Sequence, residues 1–294
     1  MRKIQPYVFV MPSLLLTLAL GVYPILWALR YMFYDYPGYG AATYVGLDNF
    51  ARLMRDAEYW NSVKNTFIYA GGKLVLTLPI SLILAVILNK AFRGRQLLRA
   101  IYFLPTIISA SVMSIVFFII FNAYNGMANQ FLMKYHLISS PINWLGADYA
   151  MLTTILIAVW GAVGNYMLLF LAGLQGIPND LYEAASLDGA NAAQKLFKIT
   201  IPMLGPVLQM IVMYAITVAL KGYESIMVFT GGGPYGKTDV MYLYVFKQFF
   251  PISADTASMQ RFGYGSAVGF ASAVIVGVVT ALYFYFSRKM DKIY

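Results

Sequence analysis

The 294-residue chain has no cysteine, one histidine and little charge, with Asp, Glu, Lys and Arg making up 11% of it. The missing cysteines exclude disulfide staples and thiolate metal sites, and leave the compartment open. The lone His136 supports neither a histidine metal cluster nor a Ser–His–Asp triad. No paired carboxylates fall at helical spacing within an apolar run, so no catalytic residues and no metal are expected of this chain. The charged share is less than half of the quarter or so that soluble domains carry, which excludes an ordinary water-exposed surface. Disorder is excluded too, because 20 Phe, 24 Tyr and 4 Trp are too many for a solvated chain. What is present is 60% hydrophobic residues and a formal charge of +9. A basic excess suits nucleic acid only as a basic face on a soluble domain. In a chain with long apolar runs it marks one side of a membrane instead.

A membrane-spanning helix needs roughly 20 mostly apolar residues, because the hydrocarbon core is about 30 Å thick and a helix rises about 1.5 Å per residue. Six segments qualify, at about 7–29, 65–88, 101–123, 149–174, 199–220 and 264–286, and only the second holds a charge, Lys73. The expectation is an all-α membrane protein with six transmembrane helices in a single domain, 1–294. The first run reads as a retained signal anchor, since the uncharged stretch 4–29 exceeds a signal-peptide core and no A-x-A site follows. With both termini inside, the inner segments hold 11 Lys and Arg in 50 positions and the outer loops 9 in 103. The inner density is more than twofold higher, carried by Lys90, Arg93, Arg95 and Arg99 in particular, so both termini are expected to be cytoplasmic. Pro12, Pro24, Pro79, Pro105, Pro202 and Pro206 punctuate the spans, where neighbouring groups can satisfy the carbonyls they free.

The cytoplasmic loop at about 178–198 is the most informative stretch. Asn179 reads as a helix N-cap with Asp180 at the positive end, and the helix runs to about Leu187. Gly189 suits the left-handed turn that ends it, and a second helix restarts near Asn191 and bends at Pro202. Local physics leaves two readings open, an ordinary amphipathic connector or a docking helix with little bulk at Ala184 and Ala185. Glu183, Ala184, Ala185, Asp188, Gly189 and Ala190, followed by Phe197, Ile199, Pro202 and Pro206, resemble the signature loop of binding-protein-dependent ABC importer permeases. The resemblance implies the type I ABC importer permease fold. It also implies that this loop is a coupling helix docking in a cleft of a cytoplasmic ATPase, with Glu183 as the polar contact and Gly189 as the turn that lets the helix fit.

A second stretch narrows the resemblance. Val228-Phe229-Thr230-Gly231-Gly232-Gly233-Pro234, then Thr238 and the aromatics Tyr242, Tyr244, Phe246 and Phe249, are similar to carbohydrate-importer permeases of the larger maltose-permease type. Leu104-Pro105 entering the third span fits the same pattern. The residues 231–238 also satisfy the phosphate-loop formula G-x-x-x-x-G-K-T, but that loop needs a strand before it and a helix opening after it. A membrane helix precedes it here and the topology places it outside, so the match is read as coincidence.

Lys73 either faces an interior path or snorkels to the outer end of its helix; a charge at the bilayer centre costs roughly 2.5–3.5 kcal/mol on insertion scales. Trp160, Asn165, Tyr166 and Tyr214, with Lys221, Tyr223 and Glu224 at the outer end of the fifth span, are the candidate solute contacts. Sugars present C–H faces to aromatic rings and hydroxyls to Asn and Glu, and the resemblance places the solute site between two permeases at these helices. The expected partners are a second permease subunit, two ATPase subunits holding ATP and Mg, an external solute-binding protein, a sugar or oligosaccharide, and membrane lipid of a bacterial or archaeal cytoplasmic membrane. The rival readings are a permease for glycerol phosphate or a polyamine, and an ion-driven secondary transporter. The last predicts inverted repeats and intramembrane carboxylates, which the spans lack.

Overall fold

The computed structural model describes residues 5–250 and 260–290. The helices are α1 (Gln5–Leu16), α2 (Tyr23–Arg30), α3 (Asp48–Arg55), α4 (Ala57–Asn89), α5 (Arg95–Ile107), α6 (Ala110–Ile120), α7 (Met127–Lys134), α8 (Ala150–Leu174), α9 (Asn179–Leu187), α10 (Ala192–Lys195), α11 (Ile201–Met203), α12 (Gly205–Lys221), α13 (Glu224–Phe229), α14 (Met241–Phe249) and α15 (Phe262–Met290). A two-residue antiparallel pair, Tyr34–Asp35 with Thr43–Tyr44, is the sheet among the described residues. The fold is thus all-α. Among the described residues five helical runs are long and apolar enough to cross a membrane: Tyr7–Phe33, Ala57–Asn89, Ala150–Leu174, Gly205–Phe229 and Phe262–Ser287.

The third candidate crossing in chain order, α5 with α6, qualifies only as a bent pair, which is the form of a broken span or a re-entrant loop. The sequence suggests a continuous helix over 101–123, whereas α5 and α6 meet at a bend of 97°. Ile108 leaves the helical conformation with ψ 131°, and the Ser109 hydroxyl accepts from the amide of Val112 to start α6 afresh. Pro105 lies buried in the last turn of α5 and lacks the amide that would tie it to the preceding turn.

Prolines reshape two other runs more gently. The π-helical turns Thr17–Val22 and Leu196–Thr200 each end two residues before a proline, Pro24 and Pro202. A wider turn is one way for a membrane helix to re-satisfy carbonyls that a missing proline N–H leaves open. Asn179 is the first residue of α9, not its cap; Pro178 holds the cap position and makes no side-chain hydrogen bond there.

The chain divides into two compact units. One comprises Met1–Trp60 and Tyr244–Ile275. In it Asn49 Nδ2 donates to the carbonyls of Met32 and Tyr34, both at 3.0 Å, and Tyr59 and Ser272 share a hydroxyl contact at 3.2 Å. Asp56 is its polar centre. Tyr244 donates to Asp56 Oδ2 at 2.6 Å and Tyr264 donates to the same oxygen, while Oδ1 accepts from the amides of Glu58 and Tyr59 at 3.1 Å. Burial alone pushes the Asp56 carboxyl up, but these four donors outweigh it and hold it below its ordinary value. Gly263 lets α15 start hard against the Tyr34 carbonyl, where a Cβ would collide.

The other unit comprises Asn61–Leu243 and Val276–Tyr294, and α8 is its axis. Ala85, Leu88, Tyr166, Met167, Phe170, Leu171, Leu174, Leu204, Ile211 and Ala215 bury one cluster; Tyr69, Ile155, Ala158, Val159, Val163, Ile226, Val240 and Leu243 bury a second. Lipid tails are as apolar as leucine, so close packing and polar links, not escape from water, hold such helices together. Gly164 lets α5 lie directly against α8, the Tyr102 carbonyl filling the place of a Cβ. Ser81 Oγ donates to the Val163 carbonyl at 2.9 Å and Tyr283 OH to that of Gln209 at 2.7 Å. Arg99 Nη2 donates to the Leu88 carbonyl at 2.7 Å, closing the last turn of α4 with a cation where the helix dipole favours one.

Candidate functional site

The candidate coupling segment runs from α9 to α12. Glu183 and Ala184 of α9 are exposed and Ala185 is half-buried. At the C-terminal end the Gly189 amide donates to Ser186 O and the Ala190 amide to Ala185 O, with Gly189 at φ +76°. This is a left-handed termination that a side chain would strain. Nothing lies within 4 Å of the place a Gly189 Cβ would take, so the demand there is on backbone conformation and not on room. The chain restarts at Asn191, whose side chain accepts from the Gln194 amide at 2.9 Å while Gln194 Oε1 accepts from the Asn191 amide at 2.8 Å. That reciprocal capping box fixes where α10 begins.

Two links that the sequence reading missed tie α9 to the following turn, and a third contact ties it to the core. Tyr182 OH and Thr200 Oγ1 are 3.0 Å apart, and Lys195 Nζ donates to Ser186 Oγ at 2.6 Å. Tyr182 also packs against the buried cluster of Phe170, Leu171 and Leu174. Its aromatic side chain at the position before Glu183 is the one local signal of this arrangement, since an inward Tyr182 turns its neighbour outward. The opposite face presents Leu187, 90% exposed, and beyond α10 Phe197, 66% exposed. The segment is therefore anchored on one face and bare on the other.

The candidate solute contacts do not form one group. Tyr166 and Tyr214 face each other with ring centroids 6.0 Å apart, Tyr166 being 3% exposed in the core and Tyr214 47% exposed. Trp160, 44% exposed, meets Phe117 edge-on at 5.2 Å and lines an apolar hollow of about 540 Å³ with Tyr102, Leu104 and Leu156. Asn165 and Tyr223 are half-buried. Glu224 is exposed and lines a separate cavity of about 220 Å³ that the break between α5 and α6 helps to open. Lys73 lines that same cavity with Tyr69, Thr106 and Ser225.

The phosphate-loop match takes a different shape from a nucleotide site. A short helix, α13, precedes it, and Thr238 is buried with its hydroxyl 2.7 Å from Thr230 Oγ1 and 2.7 Å from the Gly233 carbonyl. The loop's hydroxyl thus closes the loop on itself, and Lys237 points out of it into solvent. Among the described residues no three His, Asp or Glu side chains gather to hold a metal ion.

Residues 77–292 match the family described as binding-protein-dependent transport system inner membrane component. The chain is 34% identical over 281 residues to a probable ABC transporter permease protein, YesP, of Bacillus subtilis, covering 95% of this chain and 88% of that one. It is 32% identical over 291 residues to the arabinooligosaccharides transport system permease protein AraP of the same organism, covering 96% and 88%. It is 32% identical over 284 residues to the trehalose/maltose transport system permease protein MalF of Thermococcus litoralis, covering 96% and 93%. Among solved structures, a chain of a bacterial ABC transporter involved in import of the acidic polysaccharide alginate superposes with a TM-score of 0.85 at 22% identity, covering 98% of this chain and 96% of that one. The bent α5–α6 pair, the α9 segment and the extent of these matches lead to one conclusion: the chain belongs to the binding-protein-dependent transport system inner membrane component family, a multi-pass membrane protein with the ABC importer permease fold.

Proposed function

We propose that the chain is one of two permease subunits of an ATP-driven importer carrying a sugar or oligosaccharide across the cytoplasmic membrane of a bacterium or archaeon. In this reading residues 1–294 act as a single permease domain with both termini cytoplasmic. ATP and Mg reside on two partner ATPases, and an external solute-binding protein delivers the solute. The names of the relatives support the sugar class, two of them being permeases for arabinooligosaccharides and for trehalose/maltose.

The observation that carries the coupling role is the short helix α9 with exposed Glu183, small Ala184 and Ala185, and the Gly189 turn at φ +76°. Such a helix offers one carboxylate and close backbone approach to a cleft. Asp188 and Ala190 complete its tip. Its anchored face, through Tyr182 and Thr200, gives a rigid path from that tip into α12, so movement of the ATPases is passed to the spans and not absorbed by a slack loop. The chemistry belongs to the partners, and this chain moves.

The test is uptake of labelled sugar by the assembled complex carrying Glu183→Arg or Gly189→Val. Both variants are expected to lose ATP-dependent uptake while expression and membrane insertion stay at wild-type level. Undiminished uptake in both refutes the coupling assignment.

A further inference from the structure

We propose that the cavity around Lys73 is a specificity site for a carboxylate-bearing sugar unit, with Lys73 as the side chain that recognises the carboxylate. The proposal rests on the saccharide-permease reading and narrows its substrate class to acidic saccharides.

Lys73 lies eight residues inside the outer end of the 65–88 run, which is about 12 Å of helix. No lysine side chain spans that distance, so its charge is not delivered to that end. It lines the cavity of about 220 Å³ instead, together with Tyr69, Thr106, Glu224 and Ser225. Its Nζ stands 5.9 Å from the centre of the buried Tyr69 ring. Among the described residues no carboxylate comes within ion-pair reach of that ammonium. Charged residues at membrane depth face interior paths and pair with opposite charge because hydrocarbon cannot solvate them. Here the geometry leaves room for the opposite charge to arrive with a ligand.

The rest of the lining suits the remainder of a sugar. Thr106 and Ser225 bring hydroxyl groups, Ala158, Gly161 and Ala162 of α8 bring small apolar walls, and the cavity of about 220 Å³ has room for a sugar unit. Glu224 lines the same cavity and is exposed, and its carboxylate can accept from sugar hydroxyls. The half-buried Lys73 lies where water screens less, so its charge weighs more in choosing the ligand. A neutral sugar satisfies the hydroxyls but not the ammonium. A uronic-acid unit satisfies both.

The experiment uses the complete importer in proteoliposomes and a matched pair of labelled oligosaccharides, one neutral and one with a single uronic-acid unit. Binding of each to the solute-binding protein is measured separately by calorimetry. Wild-type, Lys73→Met and Lys73→Arg complexes are compared by the ratio of acidic to neutral uptake. The ratio is expected to fall at least about tenfold in Lys73→Met, the loss of one charge-assisted contact, and to recover largely in Lys73→Arg. An unchanged ratio in Lys73→Met overturns the proposal, as does failure of the wild type to bind or take up the acidic sugar while it takes up the neutral one. Uptake of neither sugar by a complex with active ATPases overturns the saccharide reading itself.

Discussion

Replacing Asp56 by alanine removes four interactions at once, because one carboxylate receives two tyrosine hydroxyls and the two amides that open α4. A hydrogen bond to a charged group contributes roughly 1.5–3 kcal/mol, and a helix cap about 1 kcal/mol. Tyr244 and Tyr264 are 8% and 2% exposed, so their hydroxyls are left without an acceptor where water reaches them poorly. Asp56 itself is half-buried, and water and relaxation recover part of the loss. The expected net cost is about 3 kcal/mol, below the gross sum. It is read as a fall of roughly 6–12 °C in the thermal midpoint of the full chain in detergent, followed by tryptophan fluorescence. Asp56→Asn keeps the shape and loses the charge, and is expected to cost about half as much. A double-mutant cycle with Tyr244→Phe isolates the shared term, expected at about 1 kcal/mol or more. Additivity within roughly 0.5 kcal/mol refutes the reasoning. Acid gives an independent check. The folded carboxyl lies below the ordinary value of 3.8, so its contribution is fully present above that value and is lost as pH falls through the depressed one. The burial of Tyr244 and its bond to the charged Asp56 push the phenol's own pKa up, in accord with a proton held on the tyrosine.

Two further outcomes follow from other parts of the chain. Gly164→Ala puts a methyl onto the Tyr102 carbonyl and is expected to cost about 1–3 kcal/mol of stability, whereas Gly161→Ala meets the yielding Met113 Sδ at 2.9 Å and costs less; the reverse order of thermal midpoints refutes the packing argument. The purified chain alone is expected to show no saturable binding of a labelled ATP analogue, because Thr238 is engaged within its own loop; binding lost on Lys237→Ala refutes that reading.

The spans were legible because their signal is local. A run of apolar residues long enough to cross hydrocarbon has few alternatives, and the Ala150–Leu174 run is unmistakable in the sequence. The Gly189 turn and the Asn191 start were legible for a related reason, as capping chemistry acts over three or four residues. Asn179 misled the same kind of argument, since a residue with good capping chemistry is displaced when Pro178 already sets the entry. The break after Pro105 was less visible. Proline announces a perturbation, but whether a helix bends slightly or by 97° depends on what it packs against, here Gly161 and Gly164 of α8. The candidate solute contacts were chosen by residue type, and type does not tell depth: Tyr166 lies in the core while Tyr214, its ring neighbour, is open.

Composition, with 11% charged and 60% hydrophobic residues and no cysteine, determined by itself that the chain is a membrane protein, because the transfer energies of its residues permit no other solvent. Local spacing determined the helices and the turn at Gly189. Only the tertiary structure decided where Lys73 points. From sequence its charge had two outlets, along its helix or into a cavity, and both satisfy the same local pattern. The cavity exists because α5 breaks, α8 offers small residues and α13 brings Glu224 and Ser225 to one place, a convergence of segments more than a hundred residues apart that no local signal encodes.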